Sequence, residues 1–301
     1  MKQKVIDSHL HVLKKRNFNR TIYESAGFLY PEDTPINNLV MWLKGAGVER
    51  AIIMGQDMSR IWDSTCGEDY VLDCCNKYPD YFLALASIEP INKYGRFNKP
   101  ALEYFEKAIE NYGFKGILLT PPYGQYSLDD PEVYPFYMKA IELDAIVQFH
   151  CCAQLGPIIL APFRYVSYEA LNNVLVNFHE MKVVVEHINY PWYEELFFMM
   201  ACNENVYADI AMTYKRPINL CWNLVKAKEY GVIDRIMYAS DYWVAGQGIF
   251  SGDPGKDMEE WIELIRNGIK NIAEKCGWPK FSNEDIDGIL YLNAAKLYKI
   301  I

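Results

Sequence analysis

Two histidines one residue apart, His9 and His11, close the apolar stretch Val5-Ile6-Asp7-Ser8-His9-Leu10-His11. In a β-strand the side chains at i and i+2 share a face, so both imidazoles aim at one point while Leu10 faces away. Two neutral imidazoles converging in this way suit zinc, manganese or iron. A lone His-x-His is common enough by chance that its partners must decide the matter.

The elements that would position such partners follow from hydrophobic patterning. The chain has 301 residues, 51% of them hydrophobic, enough for a sizeable core. After the first strand, apolar runs at 50–55, 82–88, 114–119, 145–150, 183–187, 206–211 and 235–240 read as strands. Helical spacing fills 35–45, 68–77, 101–112, 133–143, 168–178, 193–202, 217–230 and 257–275. Strands such as Val183-Val184-Val185 are continuously apolar, as expected when helices cover one face and a packed interior the other. Eight βα units in this length predict an α/β fold of the (β/α)8 TIM-barrel type, with an extra C-terminal helix over 283–298. No Gly-x-Gly-x-x-Gly follows the first strand, which removes support for a dinucleotide fold. No linker or low-complexity tract interrupts the pattern, so 1–301 reads as one domain. Two stretches read as functional loops: an irregular one from Val12 to Thr34 and a Gly-rich one from Gly246 to Gly255.

A barrel gathers the C-terminal ends of its strands onto one rim, where chemistry sits. Of the five histidines, His9 and His11 end the first strand, His150 the fifth and His187 the sixth, while His179 reads as a surface residue. Asp241 ends the eighth strand, which lies beside the first when the barrel closes. His9, His11, His150 and Asp241 then offer three imidazoles and a carboxylate to one ion, with a position left for water or substrate. His187 is placed as a general acid or base. Cys151 and Cys152 follow a proposed ligand directly and read as packing residues.

With these residues in place, the sequence resembles the amidohydrolase superfamily, in particular the amidohydrolase-related branch that includes aminocarboxymuconate-semialdehyde decarboxylase-like and dihydroxybenzoate decarboxylase-like enzymes. The resemblance rests on Ile6-Asp7-Ser8-His9-Leu10-His11, His150, Glu186-His187-Ile188-Asn189-Tyr190-Pro191-Trp192, Ala239-Ser240-Asp241-Tyr242 and Asn293-Ala294-Ala295, in order along nearly the whole chain. It implies one divalent metal, usually zinc, on His9, His11, His150 and Asp241, with His187 assisting the chemistry; the donor types also suit manganese or iron, and in a hydrolase His187 and Asp241 would move protons. Binuclear members of the wider superfamily bridge two ions with a carboxylated lysine or a glutamate ending the fourth strand. Here Ile117-Leu118-Leu119-Thr120-Pro121 offers neither, and Lys115 lies at the strand's start, so a single catalytic ion is expected. The three-metal phosphatase branch of His-x-His barrels needs more histidines than this chain has.

The formal net charge of −9 argues against nucleic acid as partner, which calls for a basic stripe. The start of the chain shows no apolar run of signal-peptide length and no stretch reaches membrane-span length, so no membrane partner is expected. Eight cysteines without regular spacing fit free thiols in a reducing cytoplasm. Arg60, Arg164 and Arg216 follow strands two, five and seven and are candidates to bind a substrate carboxylate. Tyr190, Trp192, Tyr242 and Trp243 are candidate pocket walls. The first functional expectation is a metal-dependent hydrolase of a small lactone, ester or amide; the alternative is non-oxidative decarboxylation of a small aromatic or unsaturated acid at the same site. A catalytically silent binding protein is disfavoured, because every ligand position is filled. Oligomeric state stays open, with homodimers frequent among related barrels.

Overall fold

A computed structural model describes residues 3–25, 27, 30–65, 68–152, 162–242 and 252–300. Eight strands run β1 (Val5–His11), β2 (Val48–Met54), β3 (Phe82–Ser87), β4 (Gly116–Leu119), β5 (Ile146–Phe149), β6 (Lys182–Val185), β7 (Val206–Asp209) and β8 (Ile236–Met237). They form one sheet in sequence order, each parallel to the next. The sheet curls shut where Leu10 pairs with Tyr242, and Ser8 and His11 donate backbone hydrogen bonds to the carbonyls of Tyr238 (3.1 Å) and Tyr242 (3.0 Å). This is the expected (β/α)8 barrel.

Two apolar layers hold it. An outer layer between strands and helices includes Leu10, Ile53, Leu39, Leu43, Val147 and Val183. An inner layer of Ile6, Ile52, Met54, Leu85, Leu118, Val184 and Met237 fills the barrel, and Ala294, Ala295, Leu297 and Tyr298 of the last helix close its N-terminal end. The interior is therefore packed, leaving the opposite rim for chemistry. Gly116 is fixed by this closeness: a Cβ there would stand 1.9 Å from the Ile146 carbonyl oxygen. The Asn293 amide donates to the carbonyls of Ile236 (2.7 Å) and Ile233 (3.1 Å), tying the final helix to β8.

Helices at Glu68–Lys77 and Tyr193–Cys202 have the bounds the spacing predicts. Helix Ile36–Ala46 ends at Gly47, whose φ of 94° lets its N–H cap the carbonyls of Leu43 and Lys44. Three differences have physical causes. The eighth strand is shorter than 235–240, because Tyr238 donates its N–H to Ile289 (2.7 Å) and Ser240 to the Asp7 carboxylate (2.9 Å) in place of ladder bonds. The helix expected over 257–275 begins at Pro254, with Asp253 accepting from the Lys256 N–H, and widens to a π-turn at Leu264–Gly268 before Ile269–Cys276. The stretch from Val12 to Thr34 is not wholly irregular, since it folds a 3-10 turn at Lys15–Asn17 and a helix at Arg20–Ser25. Leu13, Phe18, Tyr23, Met58 and Trp62 give it a small core of its own. Of the Gly-rich loop, residues 246–251 lie outside the described residues, as does Trp243. Among the described residues, no helix is long and apolar enough to cross a membrane.

Candidate metal centre

The His-x-His pair depends on a bulge. Asp7 pairs with Ala51 and Leu10 with Ile53, so β1 spends three residues where β2 spends two. The extra residue changes which parity faces inward: Ile6 belongs to the inner layer, yet His9 and His11 also point into the barrel mouth, with Leu10 in the outer layer. The His9 and His11 Nε2 atoms stand 3.1 Å apart, and Asp241 Oδ1 lies 3.4 Å from each. The remaining ring nitrogens face acceptors: His9 Nδ1 faces Asp209 Oδ2 (3.1 Å) and His11 Nδ1 the Gly55 carbonyl (3.0 Å).

With Nδ1 carrying the proton on each ring, both Nε2 lone pairs face one another and a carboxylate oxygen. Three acceptors meeting at one point repel unless positive charge lies between them. Two nitrogens on one zinc, each about 2.0–2.1 Å from it, stand roughly 3 Å apart, so this donor set fits a divalent ion. The acceptors behind the rings are the kind that fix a metal-binding histidine's tautomer and orientation.

His150 and His187 stand in the same buried cluster, one carboxylate away. Glu186 spans the gap: its Oε1 lies 3.4 Å from His9 Nε2, and its Oε2 lies 2.8 Å from His150 Nδ1 and 3.5 Å from His187 Nε2. Gln148, pointing inward from β5, donates to Glu186 Oε1 at 2.7 Å. On the far side of the His150 ring, Cys152 Sγ is 3.6 Å from Nε2. The potential ligand atoms form three overlapping groups, His9–His11–Asp241, His9–Glu186–His187 and His150–Cys152–His187. Asp241 thus meets His9 and His11 as the topology requires, whereas His150 reaches them through Glu186. Cys152 departs from the packing role expected of it; Cys151 does pack, in the outer layer. His179 is exposed.

The backbone at β6 explains how neighbouring Glu186 and His187 both enter the cluster. Past Val185 the chain turns, with φ of 56° at His187, 48° at Ile188 and 56° at Asn189. Left-handed conformation is costly for a β-branched residue such as Ile188, and strain of this kind concentrates at functional sites. Asp209 holds the turn: Oδ1 accepts from the His187 N–H (2.9 Å) while Oδ2 faces the His9 ring.

The cluster's electrostatics follow from burial among opposite charges. Burial pulls the His9 imidazole down, but Glu186, Asp241 and Asp209 more than offset it and raise its pKa to about 9. His150 rises to about 10 against the same burial, through Cys152 and Glu186, and His187 rises well above the ordinary histidine value through Cys152, Glu186 and Asp241. Conversely, burial alone would raise Glu186 and Asp241, yet His9 and the neighbouring imidazoles lower both. Cys152 falls to about 7, because His187 and His150 outweigh its burial. The site calls for positive charge among its carboxylates, as protons on imidazole or as an ion.

The expected substrate-binding residues are scattered more widely. The half-buried Arg60 donates to the Gly124 carbonyl (2.7 Å). Arg164 and Arg216 are exposed, each over an aromatic ring: Tyr165 at 4.9 Å and Tyr190 at 5.4 Å from the centroid. Tyr190 and Trp192 are half-buried. Tyr242 is fully buried in the outer layer, 6.3 Å from the Trp42 ring, so it packs against the helix layer. Tyr123 was not foreseen; its ring lies 5.0 Å from His150. A concavity of about 580 Å³ lined by Lys4, Glu49 and Tyr81 lies at the starts of β1 and β2, the end opposite the histidines.

Comparison with known proteins agrees with this fold. Three solved structures share the fold. The 2,6-dihydroxybenzoate decarboxylase from Rhizobium is 15% identical, with a TM-score of 0.67 over 99% of both chains. A probable 2-pyrone-4,6-dicarboxylic acid hydrolase from Acinetobacter baumannii is 17% identical, with a TM-score of 0.64 over 98% of this chain and 99% of that one. The 5-carboxyvanillate decarboxylase from Novosphingobium aromaticivorans, solved with bound manganese, is 14% identical, with a TM-score of 0.66 over 99% of this chain and 97% of that one. At such identities the likeness shows the fold alone. No curated protein sequence matches the chain. The amidohydrolase family model (Amidohydro_2), however, matches residues 6–300, and the chain therefore belongs to that enzyme family.

Proposed function

We propose that this protein is a metal-dependent hydrolase of a small organic substrate, a lactone, ester or amide, with one catalytic divalent ion at His9, His11 and Asp241. The observation that carries the reading is the 3.1 Å approach of the His9 and His11 Nε2 atoms beside Asp241 Oδ1. A divalent ion bound there supplies Lewis acidity, polarising a carbonyl and lowering the pKa of water. Zinc, manganese and iron all suit two imidazoles and a carboxylate. His150, the fourth ligand expected, joins this group across Glu186.

In this reading Asp241, held anionic by the imidazoles around it, accepts a proton from the attacking water. His187 holds its proton firmly and faces the same cluster, which suits it to protonate the leaving group. Asp209 positions both, through the His9 ring and the His187 backbone. Of the three candidate arginines, Arg60 is the half-buried one; Arg164 and Arg216 with Tyr190 and Trp192 form an aromatic and cationic edge for the substrate's distal end. Tyr242 supports the rim by closing the barrel beside Asp241.

Decarboxylation of a small aromatic or unsaturated acid is the second reading. It is favoured by the same protonated His187, which could deliver a proton to carbon once carbon dioxide leaves. The test is a panel of lactones, esters, amides and small carboxylic acids, with chelated protein and with protein reloaded with zinc or manganese. Hydrolysis dependent on the ion is expected. Ion-dependent carbon dioxide release without hydrolysis would replace the first reading by the second, and turnover equal in chelated protein would overturn both.

A further inference from the structure

The barrel interior holds two polar atoms that the proposed function does not use. Tyr298, from the last helix, belongs to the inner apolar layer and is 2% exposed, and Gln148, on β5, is fully buried. Met54 joins them: it lies in the same layer as Tyr298, and its sulfur is 3.4 Å from Gln148 Nε2. The Tyr298 hydroxyl and Gln148 Oε1 have no hydrogen-bond partner among the described residues. A hydroxyl left unpaired in an apolar core is costly, and phenylalanine would fill the same space without that cost.

Both atoms lie behind the His9 ring and its supports. Gln148 Nε2 donates to Glu186 Oε1 at 2.7 Å, and that oxygen is 3.4 Å from His9 Nε2. Asp209 Oδ1 accepts from the N–H groups of His187 (2.9 Å) and Ala211 (3.0 Å), while Oδ2 faces His9 Nδ1. Burial pushes the Tyr298 phenol pKa up, and the Asp209 and Glu186 charges push it further the same way, so the hydroxyl keeps its proton and stands in the field of both carboxylates. A phenol can donate and Gln148 Oε1 can only accept, yet the two are not bonded to each other. Water accepts from the first and donates to the second, with one O–H left for a carboxylate. Three bonds are the usual number for a buried water.

We infer that Tyr298 and Gln148 hold one ordered water beneath the cluster, with its second O–H directed to the Asp209 carboxylate. Tyr298 is then a positioning residue. It acts on the His9 ring through Asp209, so the helix that plugs the barrel from below also steadies a ligand at its mouth.

The inference rests on the proposed function for the ion beside His9, and its test compares Tyr298→Phe with Leu297→Ala, which loosens the same helix end without removing a hydroxyl. In metal-free protein both variants are expected to unfold at lower denaturant than the wild type. In competition with a chelating dye, Tyr298→Phe is expected to raise the zinc dissociation constant about 10-fold, as groups behind a metal ligand do. Leu297→Ala is expected to leave it unchanged. A Tyr298→Phe protein with unchanged zinc affinity, or one that unfolds at higher denaturant than the wild type, overturns the inference and leaves the metal position intact. Equal weakening in Leu297→Ala overturns it as well, since packing would then account for the effect. Wild-type protein that binds no zinc contradicts the proposed function instead. In that case, or if Tyr298→Phe does not fold, high-resolution electron density of the wild type decides: a solvent peak within about 3.2 Å of both Tyr298 Oη and Gln148 Oε1 supports the inference, and its absence overturns it.

Discussion

Two pairs of buried or half-buried carboxylates sit on the same barrel rim and behave in opposite ways. Glu186 and Asp241 lie among four imidazoles and are driven below the ordinary carboxylate range. Asp57 and Glu89, just past β2 and β3, have no such company. Asp57 accepts from the Ser59 and Glu89 N–H groups, while both Glu89 oxygens lack a hydrogen-bond partner among the described residues. Burial raises Asp57, and burial together with the Asp57 charge raises Glu89 well above its usual value, with Arg60 opposing too weakly to reverse it. Gly124 packs so closely on Glu89 that a Cβ there would stand 2.6 Å from Oε2. The comparison shows that burial raises a carboxyl's pKa, and that surrounding cationic groups can reverse the effect.

The comparison breaks most visibly at His187. Replacement by Asn removes the proton donor on the ionic side, and turnover should fall by about 10²–10⁴-fold while the ion at His9, His11 and Asp241 is retained; unchanged turnover in a steady-state assay would end the role. Next, Glu186→Gln leaves several buried imidazoles without their shared carboxylate and should lower stability by about 3 kcal/mol, read by denaturant unfolding. Asp209→Asn should weaken metal affinity by about 10–100-fold without removing a ligand, because the His9 ring and the His187 turn lose a shared anchor; competition with a chelating dye measures it.

The smallest effect sharpens the other side. Since the pKa of Glu89 is higher folded than unfolded, its contribution to stability is present below the unfolded carboxylate value and lost as pH rises through the folded one. Unfolding free energy of the wild type should therefore decline as pH climbs above the ordinary carboxylate range. Glu89→Gln should flatten that decline and leave turnover unchanged. An identical pH profile in the variant would mean that Glu89 is ionised without penalty.

Much of this was legible in the sequence, and the omissions have reasons. Apolar runs and helical spacing locate all eight units, because barrel strands are buried on both faces. His9, His11 and Asp241 meet because parallel closure brings the eighth strand beside the first. Glu186 is hidden by the alternation rule itself, which sends it and His187 to opposite faces; the left-handed turn at His187, Ile188 and Asn189 brings both to the cluster. Cys152 is hidden because a thiol after a histidine reads as packing until the fold shows what faces it. Tyr242 misleads in the other direction, since an aromatic beside a candidate metal-binding aspartate reads as a pocket wall but is used to close the barrel.

The most direct test of the central claim is an anomalous difference map from crystals of the zinc-loaded protein, collected at the zinc edge. The account predicts a peak about 2.0–2.2 Å from His9 Nε2, His11 Nε2 and an Asp241 carboxylate oxygen. Zinc bound elsewhere, with none between those three groups in an active protein, would contradict it.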